Sequence, residues 1–334
     1  MFPFIGFWAC STDIDVNAPY QETKVVYCII DPNSPFQIAR ISKGFQNEGR
    51  SALDIAQNSP DSSLYSPGII KVELIEYTST GTKRTFQLRD TVLSTKDSGL
   101  FYYPNQLVYK TPNFKIDTGN KYNNIWYKIR VTNTRTGSIS EASTPLVGRN
   151  FTLESPLPED PNNPIVFLSF YNSGLMELKM RRATNLAIMQ AFLNFKVLVT
   201  LNNNTTREEI WKWQAPGEMG FQSETAPSGT ANFGGKNFYN FISRKVAETD
   251  NENVVSRKLI ASEMEVWGAN REYKRYRDVY NNYNSLTQSL PVYTNVSNGL
   301  GLMAAINMNR FPALVALGTM DTLVTFYPQF KFVK

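Results

Sequence analysis

The chain has 334 residues and a net charge of +5, with 34 Lys and Arg against 29 Asp and Glu. It contains no histidine and only two cysteines, which excludes Ser-His-Asp and Cys-His nucleophiles, imidazole metal sites and a disulfide framework. The mild positive charge is spread along the chain, so no nucleic-acid partner is expected. No metal or other cofactor is expected from this composition.

The first nine residues, MFPFIGFWA, form an apolar run far shorter than the roughly 20 residues that cross a bilayer. A short apolar run that ends in a small residue is typical of the end of a signal peptide. Because Cys10 follows, Phe-Trp-Ala-Cys is similar to a bacterial lipobox, in which the thiol receives a diacylglycerol. We therefore expect residues 1–9 to be a signal-peptide remnant, Cys10 the lipidation site and residues 10–21 a lipidated tether. A frayed N-terminus or a first strand is the alternative.

Residues 22–153 read as short strands joined by turns. Two hairpins are predicted around Thr-Ser-Thr-Gly-Thr at 78–82 and Thr-Arg-Thr-Gly at 134–137. Residues 125–132 alternate between an apolar face and a mostly polar face that includes Trp126, as in a half-buried antiparallel strand. Six or more short strands in about 125 residues indicate an immunoglobulin- or fibronectin-like β-sandwich. Cys28 lies inside the first strand and is expected to be a buried thiol.

A proline-rich segment, 154–164, follows and is predicted to be a semi-stiff linker between two domains. Residues 165–334 are predicted to form a β-rich α+β domain with about two helices. The helices are placed near 236–247 and 270–284, the second with Asn270 as its N-cap. The Gly-, Ser-, Thr- and Pro-rich stretch 217–235 is expected to be a long loop. The predicted fold class is therefore mainly β.

Two aromatic groups are candidate binding surfaces. Tyr273, Tyr276 and Tyr280 share one stripe of the second helix, with Tyr283 continuing it, and basic residues lie beside them. Trp211 and Trp213 are two apart on a predicted strand and so share one face. Either group would suit a sugar or a partner protein, but burial in the core is the alternative for both.

Carboxylate chemistry is the enzyme class that the composition leaves open. Glu263 and Glu265 share a strand face, but a glycosidase needs two carboxylates facing each other across a cleft, one of them with a raised pKa. Nothing in the sequence marks such a pair, so a solvated polar face is the expected role.

Several stretches together resemble a family of Bacteroidota outer-membrane lipoproteins. They are VVYCIIDPNSPFQIARISKGF, IAQNSPDSSLYSPGIIKVELIEY, KDSGLFYYPNQLVYK and YTNVSNGLGLM. The resemblance spans Cys10 to about residue 307 and implies an N-terminal β-sandwich, a β-rich C-terminal domain of unknown function, and a location at the outer membrane. Ser11-Thr12-Asp13-Ile14-Asp15 is similar to the surface-export signal of such lipoproteins. Thr91 and Thr322 match the short Asp-Thr-apolar pattern of their O-glycosylation sites.

The leading expectation is a non-enzymatic lipoprotein, anchored in the outer membrane and facing the cell surface. It would act as an accessory or binding subunit of a complex for TonB-dependent uptake or outer-membrane assembly, with an outer-membrane barrel or another surface protein as partner. The first alternative is a surface glycan-binding lipoprotein that uses Trp211, Trp213 or the tyrosine stripe. The second is a carboxylate-dependent hydrolase.

Overall fold

The computed structural model describes most of the chain after the predicted tether. The described residues are 22–44, 54, 58, 63–94, 105–115, 124–149, 152–158, 165–171, 174–215, 217, 219, 221, 226–249, 253–281 and 292–334. Within these ranges the chain is mainly β, which confirms the predicted fold class. Cys10, the signal-peptide remnant and the tether up to residue 21 lie outside them.

The strands of the first half are β1 (Lys24–Ile30), β2 (Ile38–Lys43), β3 (Ile70–Thr78), β4 (Gly81–Leu93), β5 (Gln106–Lys110), β6 (Trp126–Asn133), β7 (Ile139–Pro145) and β8 (Thr152–Ser155). Those of the second half are β9 (Val166–Leu168), β10 (Leu175–Arg181), β11 (Ile188–Leu201), β12 (Thr206–Gln214), β13 (Ser228–Gly234), β14 (Val254–Ala269), β15 (Gly299–Val315) and β16 (Phe332–Val333). The described helices are α1 (Gly235–Ala247), α2 (Arg271–Asn281) and α3 (Leu317–Phe326), with a 3-10 turn at Pro328–Phe330.

The first half is sandwich-like, and the long strand β4 belongs to both of its layers. The first part of β4 pairs with β3, as at Leu88 opposite Val72, and its last part pairs with β5, as at Arg89 opposite Lys110. One layer continues from β3 to β6 and β7, and the other from β5 to β2 and β1. Alternating apolar side chains of these strands form the core, because successive residues of a strand point to opposite faces. Cys28 is fully buried there with a free thiol, and burial raises its pKa to about 12.

Strand β15 runs through both halves of the molecule. Its residues 299–305 pair in parallel with β1, and residues 306–313 pair with β14 in antiparallel fashion. Its last residues lie beside β9. A strand from the C-terminal region therefore extends the N-terminal layer. The boundary predicted at 154–164 stays a prediction, since residues 159–164 lie outside the described ranges.

The segment YTNVSNGLGLM makes this pairing possible. The side chain of Asn295 binds the backbone of Met303 twice, accepting from its N–H at 2.9 Å and donating to its carbonyl at 2.7 Å. Asn298 has a φ of 51° at a turn before β15, and Gly301 has a φ of 118°. A Cβ on Gly301 would lie 1.9 Å from the carbonyl oxygen of Val26 on β1. Close approach of the two backbones thus requires glycine at this position.

The second half packs the sheet β12-β11-β14-β15 against α1 and a three-stranded sheet, β13-β10-β8, to which the last strand of the first half contributes. Helices α1 and α2 confirm the two predicted helices, and α3 was not predicted. The prediction of a long loop over 217–235 is wrong for residues 228–234, which form β13. Gly229, Ala231 and Phe233 are buried on one face of this strand. Pairing with β10 holds it extended despite its loop-like composition.

Candidate ligand clefts beside helix α2

Asn270 precedes helix α2 and acts as its N-cap, as predicted. The Oδ1 of Asn270 accepts a hydrogen bond from the backbone N–H of Tyr273 at 3.3 Å. The buried amide of Asn270 also donates to Thr144 Oγ1 on β7 at 2.5 Å. The start of the helix is therefore tied to the N-terminal sandwich.

The first cleft, called cleft A, lies between α2 and the face of the sheet that points away from the core. Its volume is about 460 Å³, which is within the range of small-ligand sites. The lining side chains with aromatic, amide or cationic groups are Gln190, Phe192, Lys212, Gln214, Trp267, Tyr273 and Arg277. These residues lie far apart in sequence and meet only because β11 pairs with both β12 and β14.

Below cleft A, the buried carboxylate of Glu265 holds the polar groups of the lining in place. It accepts hydrogen bonds from Lys212 Nζ at 2.7 Å and from Trp267 Nε1 at 2.5 Å, and Arg310 lies at 3.3 Å. The ammonium group of Lys212 also lies 4.2 Å from the ring centre of Phe192. Burial raises the pKa of Glu265, but the hydrogen bonds from Lys212 and Trp267 outweigh it, so the pKa is lowered overall. Glu265 is thus an ionised positioning group.

This arrangement does not suit the hydrolase alternative. A general acid needs a raised pKa, whereas that of Glu265 is lowered. Glu263 lies on the same strand face, and its carboxylate pairs with Arg310 at 3.5 Å. Within the described ranges, no group of three or more carboxylate or thiol side chains is placed to hold a metal ion.

A second cleft, cleft B, lies at the N-terminus of α2. It has a volume of about 370 Å³, and polar side chains dominate its lining together with one large aromatic ring. The lining side chains that could contact a ligand through an aromatic, amide or charged group include Trp126, Asn185, Asn270, Arg271 and Glu272. The hydroxyl of Tyr293 donates to Glu272, and burial together with this hydrogen bond raises the pKa of Tyr293 to about 12.

Trp126 is the aromatic residue of cleft B that a ligand can reach. It is 40% exposed, and its indole stacks on the ring of Tyr77 with centres 6.4 Å apart and planes 30° apart. Sequence reasoning missed it as a site residue, although the alternation of residues 125–132 already placed it on the mostly polar face. An exposed aromatic on a solvent-facing strand surface was the available signal.

The predicted tryptophan platform is wrong, because both residues lie in the core. Trp213 is 6% exposed and packs on Phe233 and Phe241, with ring centres 5.2 and 5.6 Å away. Trp211 is 3% exposed, and its Nε1 donates to Glu209 at 2.7 Å. On β12 the odd-numbered side chains point inward, so Lys212 lines cleft A while its two tryptophan neighbours cannot.

The tyrosine stripe is neither core nor a free platform. No residue of α2 is fully buried. Tyr273 lines cleft A. Tyr276 packs edge-on against Tyr27 of β1, with ring centres 6.2 Å apart, and in a tilted arrangement against Tyr280 at 4.5 Å. Burial and the contact with Tyr27 raise the pKa of Tyr276. Tyr283 lies outside the described residues.

The two threonines predicted to carry O-glycans lie on different elements. Thr91 is half-buried on β4, and Thr322 lies on α3, where its hydroxyl donates to the Gly318 carbonyl at 2.9 Å. Glycosylation of either residue stays a prediction.

A comparison with protein-family models finds no match, and a comparison with curated proteins also finds none. Among solved structures, the chain is similar to the C-terminal globular domain of an oligosaccharyltransferase from Pyrococcus abyssi, at 12% identity over 73% of this chain with a TM-score of 0.26. The match spans 46% of that chain's length. A second is CBD12 from CALX1.2, at 10% identity over 84% of this chain and 98% of that one, with a TM-score of 0.16. With TM-scores this low, neither structure is evidence for the fold or the function of this chain.

Among the helices of the described ranges, none has both the length and the apolar character that crossing a bilayer takes.

Proposed function

We propose that this chain is a non-enzymatic lipoprotein of the bacterial outer membrane. Acylated Cys10 anchors it, with the folded part facing the cell surface. It serves as an accessory or binding subunit of a complex for TonB-dependent uptake or outer-membrane assembly, next to a barrel or another surface protein. The lipobox-like stretch before Cys10 and the resemblance of the chain to Bacteroidota lipoproteins support the location.

The main support for a binding role is the presence of cleft A. Aromatic, amide and cationic side chains line a space of ligand size, and the carboxylate of Glu265 fixes two of them, Lys212 and Trp267. Polar groups held by second contacts are pre-organised, which reduces the entropy that ligand binding must overcome. Such a site suits recognition better than acid–base chemistry, because its one buried carboxylate is fully engaged.

Replacing Cys10 with serine tests the anchor. Only the thiol can receive the diacylglycerol, so the Cys10→Ser protein is expected to move from the membrane fraction to the soluble fraction and to lose incorporation of labelled fatty acid. The matched control is Cys28→Ala, which removes the buried thiol and is expected to stay in the membrane fraction. A Cys10→Ser protein that still sediments with membranes would contradict acylation as the attachment.

Glycan binding is the second candidate function, and the position of Trp126 favours it. The C–H face of a sugar ring packs on an aromatic face, while its hydroxyls need hydrogen-bonding partners. Trp126 supplies the aromatic face at the rim of cleft B, and Asn185, Arg271 and Glu272 lie in the same lining. In this proposal the sugar platform is on β6 and not on β12.

We expect Trp126→Ala to weaken glycan binding about tenfold or more, which corresponds to about 1.4 kcal/mol. A glycan array would find the ligand, and titration calorimetry would compare the wild type with the variant. Trp126→Phe keeps an aromatic face and should retain most of the affinity. If the wild-type protein binds no glycan, or if Trp126→Ala binds as tightly as wild type, glycan binding in cleft B is refuted.

A further inference from the structure

Strand β12 forms one end of the large sheet. Within the described ranges it pairs with β11 and with no other strand. Just before the strand the N–H of Leu201 donates to the Thr205 carbonyl at 2.9 Å, and just after it the N–H of Ala215 donates to β11 at 2.9 Å, so the odd-numbered residues of β12 bond to β11. In an antiparallel pair, alternate residues point their N–H and C=O groups away from the partner strand. The even-numbered residues of β12 therefore direct these groups to the open edge, where another strand can pair with them.

The side chains of these even-numbered residues share the outer face of the sheet, because side chains alternate along a strand. All of them are exposed, and in chain order they are Thr206, Glu208, Ile210, Lys212 and Gln214. Ile210 lies at the middle of the strand and is 73% exposed. An exposed apolar residue is thus flanked at equal distances by an acid and by a base.

A second copy of β12, running antiparallel to the first, fits this edge in one register. With Ile210 opposite Ile210, Glu208 of each copy faces Lys212 of the other, and all nine residues of the strand overlap. Shifting the second copy by two residues puts Ile210 opposite Glu208 or Lys212, and shifting it by four puts two like charges opposite each other. Opposite charges across two strands stabilise the pair and like charges destabilise it. A strand of a different protein would need no such symmetry, so the pattern favours a second copy as the occupant.

The two charges that flank Ile210 keep capacity for a partner outside the chain. The carboxylate of Glu208 lies 2.6 Å from Lys196 Nζ, and its side chain is still 53% exposed. The ammonium of Lys212 lies 2.7 Å from Glu265, and its side chain is 47% exposed. Because an ammonium has three donors and a carboxylate accepts several hydrogen bonds, each group can take a second partner across the edge.

We infer that two copies of the chain form a symmetric dimer in which their β12 strands pair antiparallel across Ile210. The five even-numbered residues of each copy donate and accept one hydrogen bond each, which gives ten backbone hydrogen bonds, about as many as a typical protein interface carries. The same patch of both copies forms the contact, as a two-fold interface requires. On the opposite face of β12, Arg207 and Glu209 pair with each other at 2.8 Å, so their charges cancel within one copy.

The dimer has a consequence for cleft A. Pairing in this register keeps the outer faces of both sheets on the same side, so both copies of cleft A open on that side. Lys212 lines cleft A, and Glu208 of the second copy faces it. Each copy therefore supplies a carboxylate at the rim of the other copy's cleft.

Cysteine cross-linking of the full-length protein in cells tests the register. Opposite residues of a hydrogen-bonded antiparallel pair have Cα atoms about 5.5 Å apart, which a disulfide can bridge. Ile210→Cys is therefore expected to give a covalent dimer on a non-reducing gel after mild oxidation. Glu208→Cys alone should give none, because its two copies lie four residues apart along the strands, roughly 13 Å. Glu208→Cys expressed together with Lys212→Cys should give the dimer again, and the wild type, with Cys10 and Cys28, is the background.

Sedimentation equilibrium of the purified full-length protein in mild detergent measures the dimer itself. We expect twice the chain mass for the wild type. Ile210→Lys places two like charges opposite each other at the centre of the interface and should raise the dissociation constant about tenfold or more. Val255→Lys is the matched control, since Val255 is 57% exposed on β14, inside the same sheet, and this variant should leave the dissociation constant unchanged. Thermal unfolding checks that both variants are folded.

Four results would overturn the dimer or its register. A wild-type protein that stays monomeric at every concentration would refute it, and so would a dimer that Ile210→Lys leaves intact. A covalent dimer from Glu208→Cys alone would refute the register. An adduct of Ile210→Cys with a different protein, without a homodimer, would assign the edge to that protein. The lipid anchor is independent of the dimer, and the fractionation of Cys10→Ser tests it separately.

Discussion

Replacing Trp213 with alanine is expected to lower the free energy of unfolding by about 3–5 kcal/mol. The indole is 6% exposed and touches four aromatic rings, those of Phe170, Phe233, Phe238 and Phe241. Its removal leaves a cavity that the surrounding strands and α1 cannot fill, since rings on three elements would have to move together. Urea unfolding, followed by circular dichroism, measures the change.

Trp126→Ala is the matched control, because it removes the same side chain from a site that is 40% exposed. Its expected loss is about 1 kcal/mol or less, in keeping with surface substitutions. The two variants should thus separate, with Trp213→Ala affecting stability and Trp126→Ala affecting ligand binding. Equal losses of stability would contradict the assignment of Trp213 to the core. So would a Trp213→Ala protein of unchanged stability that had lost glycan binding.

The contrast between these tryptophans shows where sequence reasoning stops. Period-two alternation predicted correctly that Trp211 and Trp213 share a face, and that Trp126 faces away from its apolar neighbours. It could not decide which face of β12 is buried, because an aromatic row suits both a core and a sugar platform. That choice depends on α1, whose phenylalanines cover the face, and the position of α1 is not encoded locally.

Helix α2 was predicted from local signals, whereas the clefts beside it could not be. Asn270 and the spacing of the tyrosines are enough to place the start and the stripe of the helix. Cleft A, however, depends on the register that sets Phe192 beside Glu265 and Gln190 beside Trp267. A shift of one residue would turn these side chains to the other face of the sheet.

The long strand β15 joins the two halves in a way that the predicted boundary does not describe. The proline-rich stretch 154–164 is a sound local signal for a linker. The pairing of β1 with residues 299–305 nevertheless joins segments 275 residues apart in the chain, and the need for glycine at position 301 is its one local sign. Non-local strand pairing leaves little trace in composition or periodicity.

Gly301→Ala is expected to lower the free energy of unfolding by at least about 3 kcal/mol, through strain at a positive φ together with a steric clash. At a φ of 118° an alanine is strained, and its Cβ would lie 1.9 Å from the Val26 carbonyl oxygen. Relief of that contact requires β1 and β15 to separate, which breaks the parallel ladder that joins the two halves. Urea unfolding and hydrogen exchange of the β1 amides measure both effects.

Gly318→Ala is the matched control on the same C-terminal segment. Gly318 lies in α3, and a Cβ there would meet no atom within 4 Å. Because alanine favours helix over glycine, this variant should keep or raise stability by up to about 1 kcal/mol. A Gly301→Ala protein that unfolds at the wild-type urea concentration, with β1 amides still protected, would contradict the close approach of β1 and β15.

If the pairing of β1 with β15 is instead lost, α2 loses support as well, since Tyr276 packs against Tyr27 of β1. Ligand binding in cleft A should then weaken in Gly301→Ala and not in Gly318→Ala. That result would show that the pairing of β1 with β15 supports the candidate site.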